Sequence, residues 1–327
     1  MLKIGIIGVG YLGNFHLNNL LTHDHIKVTG FYDIDKKRSQ FISEKYKVKS
    51  FNSRQELLNA CDAVLVVTPT KSHYEVTKDA LKNELHVFCE KPVTERIEQA
   101  EELMEIARKQ KLILQVGHIE RFNPAFKALE NIKLSPKFIE CHRISMFNER
   151  GIKSAVIPEL MIHDLDIILN IVDAGIVNIE ASGTPVLTEN IDIANVRINF
   201  ENGCVANVTA SRISDKKVRK FRIFQKNAYI NIDFLKKQTD IFALTPEMEN
   251  SLQIASFKLS ETNEKSIYYK KLVTEDANAM LEEQKDFIHS INNNKSPLVT
   301  GEDGLAALKL ALSIEKVIQK NLEKVKL

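Results

Sequence analysis

Lys91 is the residue whose type and position most directly suggest chemistry. It stands between Glu90 and Pro92 and follows the apolar run 87–89, which predicts a short buried strand. In open α/β sheets, ligands bind beyond the carboxyl ends of the strands, so an amine placed there reaches a bound ligand readily. Such a lysine can exchange a proton with that ligand when its pKa is lowered. The alternative is a charged strand end that is merely solvated.

A polar stripe on a predicted helix supplies a second candidate site. Residues 158–172 are mostly apolar, while Glu159, His163, Asp166 and Asn170 recur at the spacing of one helix face. A helix this apolar must be largely buried, so its histidine needs hydrogen-bond partners or a polar cavity. Histidine has an ordinary pKa of about 6.5 and suits a base near neutral pH, and Glu159 would orient its ring. The alternative is a core histidine whose hydrogen bonds are satisfied.

The elements that must position these residues begin with a glycine-rich turn. An apolar run at 4–7 is followed by Gly8, Gly10 and Gly13 in a Gly-x-Gly-x-x-Gly pattern, and an amphipathic helical pattern follows. The first glycine permits a tight turn, the second lets the backbone approach a pyrophosphate, and the third allows close helix packing. The helix N-terminus adds N–H groups for the phosphates. The pattern predicts a dinucleotide site that also includes Tyr11 and Leu12; the alternative is a purely structural turn.

Asp33 indicates which dinucleotide binds. It ends a second strand-like run and follows Gly13 by 20 residues. An acid at this place accepts hydrogen bonds from the adenosine ribose and repels a 2′-phosphate, so we expect NAD in preference to NADP. Three cations, Lys36, Lys37 and Arg38, follow closely and could compensate a phosphate charge.

Further apolar strands alternate with helical patterns through the first 122 residues. This alternation predicts a parallel sheet covered by helices on both faces, which is a doubly wound α/β domain. Three strands end in polar, turn-forming sequence, and we expect their ends to share the cofactor edge of the sheet. The residues predicted there to contact the cofactor are Thr68, Pro69, His73, Glu90 and Lys91.

The second half of the chain has a different pattern. A run of strand-like segments from about 176 to 273 predicts a large open, mainly antiparallel sheet, and two helices at 275–293 and 302–323 end the chain. We therefore predict a dinucleotide-binding domain at 1–122 and an α/β domain for substrate binding and oligomerisation at 123–327. An uncovered sheet face suggests a contact between copies of the chain. The basic segment 211–222 could bind a substrate pyrophosphate or form a solvated hairpin.

Composition and charge exclude several classes of protein. The net charge is +2, from 45 basic and 43 acidic residues, so no overall field favours nucleic acid or an anionic membrane. The four cysteines are widely spaced, which argues against a disulfide framework and a zinc knuckle. No metal site is predicted, because the acids beside His163 lie along one helix and no second histidine-rich segment follows. The apolar N-terminal run is too short for a membrane span or signal peptide, so we expect a cytoplasmic protein.

Together these motifs resemble the Gfo/Idh/MocA family of nicotinamide-dependent sugar oxidoreductases, over essentially the whole chain. The resemblance implies a Rossmann domain and an α/β domain whose open sheet forms dimers or tetramers. It also implies a cis peptide before Pro92 and catalytic roles for Lys91, His163 and Glu159, where the family usually has Asp in place of this Glu. The residues that carry the resemblance are 8–16, Thr68-Pro69-Thr70 with His73, 86–92, and Glu159 with His163.

Three further stretches, 121–124, 160–164 and 201–207, resemble the branch of that family that oxidises C3 of UDP-N-acetylglucosamine or related nucleotide sugars. The expected reaction is hydride transfer from the sugar carbon to NAD. The alternatives are a free-sugar or inositol dehydrogenase of the same family and a non-catalytic dinucleotide-binding regulator. The residues expected to bind substrate are His118, Arg121, Asn123 and Asp164.

Overall fold

The computed structural model of the protein describes residues 1–148, 154–245, 251–260, 263–273 and 277–325. The chain forms two compact units: Met1–Ile119 with Asn278–Lys309, and Glu120–Ala277 with Leu310–Leu327. The first crossing between units lies close to the predicted boundary after residue 122. The sequence prediction placed 278–309 in the second domain, whereas the structure groups this segment with the first unit.

The first unit contains a five-stranded parallel sheet in the order β2-β1-β3-β4-β5. Most strand residues are buried, because helices cover both faces, and this confirms the predicted doubly wound sheet. The strands are β1 (Leu2–Ile7), β2 (Ile26–Tyr32), β3 (Ala63–Val66), β4 (His86–Glu90) and β5 (Leu114–Gly117).

Helices connect each of these strands to the next one in the chain, as parallel strands require. Two begin at side-chain caps: Asp35 accepts hydrogen bonds from the N–H groups of Lys37 and Arg38, and Ser53 accepts one from Glu56. The helices are α1 (Tyr11–Leu20), α2 (Lys36–Tyr46), α3 (Arg54–Leu58), α4 (His73–Lys82) and α5 (Ile97–Gln110).

The second unit contains a nine-stranded sheet in the order β13-β14-β12-β11-β10-β6-β9-β8-β7. Only β6 and β9 run parallel to each other; the other neighbouring pairs are antiparallel, which confirms the predicted large, mainly antiparallel sheet. The strands are β6 (Pro136–Ile144), β7 (Ile176–Thr184), β8 (Ile193–Phe200), β9 (Val205–Ser211), β10 (Val218–Gln225), β11 (Ala228–Asp233), β12 (Gln238–Ala243), β13 (Leu252–Ser260) and β14 (Asn263–Val273).

The predicted helix at 158–172 has two parts. A π-helical turn spans Ile157–Met161, and α7 spans Ile162–Ile171. A π-turn holds more residues than an α-turn, so Glu159 does not keep the α-helical spacing to His163 that the sequence pattern assumed. A short helix, α6 (Pro124–Lys127), precedes β6.

Two helices complete the chain: α8 (Ala279–Asn293) and α9 (Gly301–Val325). Phe287 and Ile288 of α8 belong to the core of the first unit, which explains why this late segment joins the early one. Leu310, Ala311 and Ile314 of α9 belong to the core of the second unit. Within the described ranges, no helix is both long and apolar enough to cross a bilayer.

Candidate active site

The glycine-rich loop has the shape that a dinucleotide requires. Gly8 has φ +92°, and a Cβ there would lie 2.6 Å from the carbonyl oxygen of Val67. A Cβ on Gly13 would lie 2.0 Å from the carbonyl oxygen of Gly8, so α1 packs tightly against the turn. A Cβ on Gly10 would meet no atom within 4 Å, and the N-terminus of α1 has no side-chain cap. The middle glycine therefore faces open space where a pyrophosphate can approach the helix N-terminus.

Asp33 lies directly beneath this loop. Its Oδ2 accepts a hydrogen bond of 2.8 Å from the N–H of Val9, and its Oδ1 accepts one of 2.9 Å from Asp35. Arg38 donates through Nε to the carbonyl of Val9, at 2.8 Å, and through Nη2 to that of Gly10, at 3.1 Å. This nearby guanidinium thus supports the loop backbone, and the Asp33 carboxylate is held against the same loop.

Several predicted cofactor residues share one groove in the first unit. The groove has a volume of about 460 Å³ and runs between the glycine loop and the turn after β3. Tyr11 and Leu12 are exposed on the first turn of α1, whereas His73 and Glu90 are buried and do not line the groove. The predicted residues that line it are Gly8, Gly10, Asp33, Thr68 and Pro69.

Glu90 holds the backbone of the proposed catalytic lysine. Its Oε1 lies 2.8 Å from Nε2 of His16, and its Oε2 accepts a hydrogen bond of 3.1 Å from the N–H of Lys91. A Cβ on Gly117 would lie 2.9 Å from the same Oε2, so β5 passes close against the carboxylate. Burial raises the pKa of Glu90, but the hydrogen bond from His16 and the nearby charges, including Lys91, bring it below its ordinary value. The side chain is a buried carboxylate, and the Lys91–Pro92 peptide that follows is cis, as the resemblance implies.

The predicted polar stripe divides between different environments in the second unit. His163 is partly buried near the start of α7, directly after the π-turn. Glu159 accepts a 3.0 Å hydrogen bond from Oγ of Ser154, and its Oε2 lies 3.9 Å from Nη1 of Arg212. Asp166 is buried, whereas Asn170 is exposed. The four residues therefore do not form one continuous polar surface.

Three of the predicted substrate residues, Arg121, Asn123 and Asp164, are buried and form hydrogen bonds with charged side chains. Arg121 binds Asp166 through two hydrogen bonds of 2.7 and 2.9 Å. Arg143 of β6 binds Asp164 of α7 through two bonds of 2.8 Å. Burial raises the pKa of Asp164, although the charge of Arg143 opposes this. Asn123 caps α6 and also donates to Glu120.

Glu120 connects Asn123 to the pair of Arg143 and Asp164. Its Oε1 lies 2.8 Å from Nη1 of Arg143 and 3.3 Å from Nη1 of Arg219 on β10. Burial raises the pKa of Glu120, but these two guanidinium groups and Asn123 lower it below its ordinary value. Glu120, Arg143 and His16 were not among the predicted site residues. Arg143 could have been recognised from the sequence, because it occupies one of the alternating positions of β6 that face the core.

His118, the remaining predicted substrate residue, is buried in the first unit. Its backbone N–H donates to the backbone carbonyl of Val116 at 2.8 Å. Among the described residues, no group of three or more His, Cys, Asp or Glu side chains could hold a metal ion. All four cysteines are free thiols.

The basic segment is largely paired with acids of the same unit. Arg212 lies 3.4 Å from Asp192, in addition to its contact with Glu159. The other pairs are Lys220 with Asp233 at 2.8 Å, Arg222 with Glu140 at 2.9 Å, and Arg219 with Glu120. These partners offset much of the positive charge that the sequence concentrates here.

A five-stranded parallel sheet whose first strand is followed by a glycine-rich turn and a helix N-terminus is typical of domains that bind a nicotinamide dinucleotide. The chain belongs to the Gfo/Idh/MocA oxidoreductase family: residues 2–118 match its NAD-binding Rossmann domain and residues 149–327 its C-terminal α/β domain. This confirms the expected family, fold class and cofactor.

Named relatives include dehydrogenases of two substrate types. UDP-N-acetylglucosamine 3-dehydrogenase of Acidithiobacillus ferrooxidans is 34% identical over 242 residues, which cover 74% of this chain and 77% of that protein. A solved structure of that enzyme, GnnA, superposes with a TM-score of 0.88 at 29% identity and covers 98% of both chains. Myo-inositol 2-dehydrogenase of Thermotoga maritima is 26% identical over 344 residues, covering 97% of this chain and 96% of the relative.

Proposed function

We propose that this protein oxidises a ring hydroxyl, at C3, of a nucleotide sugar such as UDP-N-acetylglucosamine. The main support for this chemistry is the position of Lys91. A buried carboxylate holds the backbone of Lys91 at the carboxyl end of β4, and the NAD groove lies in the same unit. Similarity to UDP-N-acetylglucosamine 3-dehydrogenase over most of the chain supports the choice of sugar.

Lys91 and His163 handle the hydroxyl proton in this proposal. Gly8, Gly10, Gly13 and Asp33 would hold NAD, which would supply the acceptor for a hydride from the sugar carbon. Lys91 or His163 takes the proton from the hydroxyl oxygen, because that oxygen becomes a carbonyl as the C–H bond breaks. We also propose that Glu159, which accepts a hydrogen bond from Ser154, orients the His163 ring and sets its tautomer across the π-turn.

Four residues are each proposed to contact the substrate: His118, Arg121, Asn123 and Asp164. The ion pairs of Arg121 and Asp164 hold these two side chains in fixed positions, which supports a role in positioning the substrate. A preorganised pocket aligns a sugar carbon and its hydroxyl for reaction at a lower entropic cost.

The open face of the nine-stranded sheet is proposed to contact a second copy, giving a homodimer or homotetramer. Five aromatic side chains form a continuous ladder across five neighbouring strands of this face, with ring centroids 4.8–5.8 Å apart between neighbours. Phe224, within the ladder, is 37% exposed. Rows of partly exposed aromatic rings are typical of surfaces that associate. The ladder consists of Phe138, Phe224, Tyr229, Phe242 and Tyr269.

The experiment that tests the substrate is a comparison of sugars in the presence of NAD. UDP-N-acetylglucosamine, free N-acetylglucosamine and myo-inositol are each mixed with protein and NAD, and the formation of NADH is followed. We expect the highest kcat/KM for the nucleotide sugar. A higher kcat/KM for inositol or the free sugar would instead assign the protein to that substrate class, which the inositol dehydrogenase relatives represent. Tight NAD binding without reduction by any sugar would favour the regulator alternative.

A further inference from the structure

Two buried histidines hold the Glu90-Lys91-Pro92 segment from different sides. His16 lies on α1 and is 0% exposed, and His73 is the first residue of α4 and is 1% exposed. Their hydrogen-bond partners differ in kind, and the partners decide how many protons each ring carries.

The partners of His16 make it a neutral ring. Nε2 of Gln284, on α8, donates to the backbone carbonyl of His16 at 3.1 Å, and a carbonyl oxygen can only accept, so this atom is the amide nitrogen. The same nitrogen lies 3.1 Å from Nδ1 of His16, which must therefore accept. The remaining ring nitrogen, Nε2, carries the proton and donates to the Glu90 carboxylate at 2.8 Å. Gln284 thus selects the tautomer that stabilises ionised Glu90.

The partners of His73 require the opposite charge state. Nδ1 lies 2.8 Å from the carbonyl oxygen of Pro92, and Nε2 lies 2.8 Å from that of Thr68. Both partners are acceptors, so each ring nitrogen must donate, and only the imidazolium has two N–H groups. The cation bridges the segments that follow β3 and β4.

The surroundings of His73 agree with a charged ring. Burial alone would lower the pKa of His73, but the neighbouring Cys89 of β4 and the two carbonyl oxygens raise it to about 9. The N-terminal end of α4 carries the positive end of the helix dipole, which disfavours a cation at its first residue. Cys89 and the two carbonyl contacts, and not the helix dipole, therefore account for the raised pKa of His73.

We propose that neutral His16 and cationic His73 act as a pair of positioning residues that fix the backbone on both sides of Lys91 and so aim its amine. This inference rests on the proposed catalytic role of Lys91. His16 acts through Glu90, which binds the N–H of Lys91, and His73 acts through the carbonyl of Pro92, the next residue. Loss of one proton from His73 leaves one of its two carbonyl partners without a donor and loosens the segment.

The protonation states are tested directly by ¹⁵N NMR of the histidine rings in the wild-type protein near neutral pH, assigned through the backbone amides. We expect His73 to show two protonated nitrogens, and His16 to show one protonated Nε2 and one unprotonated Nδ1. An unprotonated nitrogen on His73, or a doubly protonated His16, would overturn the proposal, whatever substrate the enzyme uses.

The effect on Lys91 is tested with His16→Gln and His73→Gln, and with His289→Gln as control, because His289 is exposed on α8. Lysines are labelled by reductive ¹³C-methylation, and the Lys91 signal is assigned with Lys91→Arg. We expect the Lys91 signal to move in both test variants but not in the control.

With an oxidisable sugar, kcat should fall by about 10²-fold in the test variants, because a misplacement of about 1 Å can cost this much. The Kd for NADH should change little. An unmoved Lys91 signal in both folded variants would contradict the positioning role even if wild-type enzyme oxidises no sugar in the panel; a failed sugar panel alone contradicts only the proposed function.

Discussion

At the scale of single residues, the structure gives Glu90 a different environment from the one that the sequence predicts. The sequence shows an acid beside a lysine, which predicts a cofactor contact. In the structure the carboxylate is buried, and it accepts hydrogen bonds from a histidine ring and from the lysine backbone. Sequence spacing located the lysine, but His16 lies on α1, 74 residues before Glu90, and no local pattern could place these two side chains together.

Lys91→Ala should lower turnover by about 10²–10⁴-fold, because that is the usual contribution of a general acid or base. The Kd for NADH should stay near the wild-type value, since the glycine loop and Asp33 are unchanged. Lys82→Ala, an exposed lysine at the end of α4, is the matched control and should behave like wild type. Steady-state kinetics and NADH fluorescence titration provide the two measurements. Near wild-type turnover in Lys91→Ala would refute the assignment.

At the scale of elements, the glycine loop and the parallel strands were predictable because their signals are local. Each glycine meets a steric requirement of the turn in which it lies, and each buried strand is visible in the sequence as a short apolar run. The π-turn at Ile157–Met161 was not predictable, because the α-helical and π-helical patterns share the same residue types over so short a stretch. The ion pairs of Arg121 and Arg143 were hidden as well, because their partners on α7 are distant in sequence.

Gly10→Ala and Gly13→Ala should separate cofactor binding from folding. A Cβ on Gly10 meets no protein atom within 4 Å, so Gly10→Ala should keep a Tm near wild type but weaken NADH binding. A Cβ on Gly13 would lie 2.0 Å from the Gly8 carbonyl, so Gly13→Ala should lower the Tm by displacing α1. Thermal unfolding and NADH titration of both variants distinguish the two effects. Equal loss of Tm in both variants would show that the loop is not shaped as described.

At the scale of the whole molecule, the composition of the two units follows from where apolar side chains are buried. The sequence predicted two domains in succession, because the change from helix–strand alternation to successive strands is visible in the pattern. It did not predict that α8 joins the first unit, since an amphipathic helix does not reveal which core its apolar face contacts. Phe287 and Ile288 settle this through their place in the first core.

The proposed contact between copies is tested by charging the aromatic ladder. Phe224→Asp with Tyr229→Asp should give a smaller assembly in sedimentation velocity, because the two adjacent rings would be replaced by repelling carboxylates. Leu235→Asp, at an exposed apolar position outside the ladder, is the control and should leave the mass unchanged. An unchanged mass in the double variant, or a monomeric wild-type protein, would exclude this surface as the interface.

The central claim is that hydride leaves C3 of a nucleotide sugar and passes to NAD. The most direct measurement uses UDP-N-acetylglucosamine with deuterium at C3, followed by mass spectrometry and NMR of the reduced cofactor. We predict that the deuterium appears at C4 of the nicotinamide and that the labelled sugar is oxidised more slowly than the unlabelled one. Reduced cofactor without deuterium, or no reduction with this sugar, would contradict the claim.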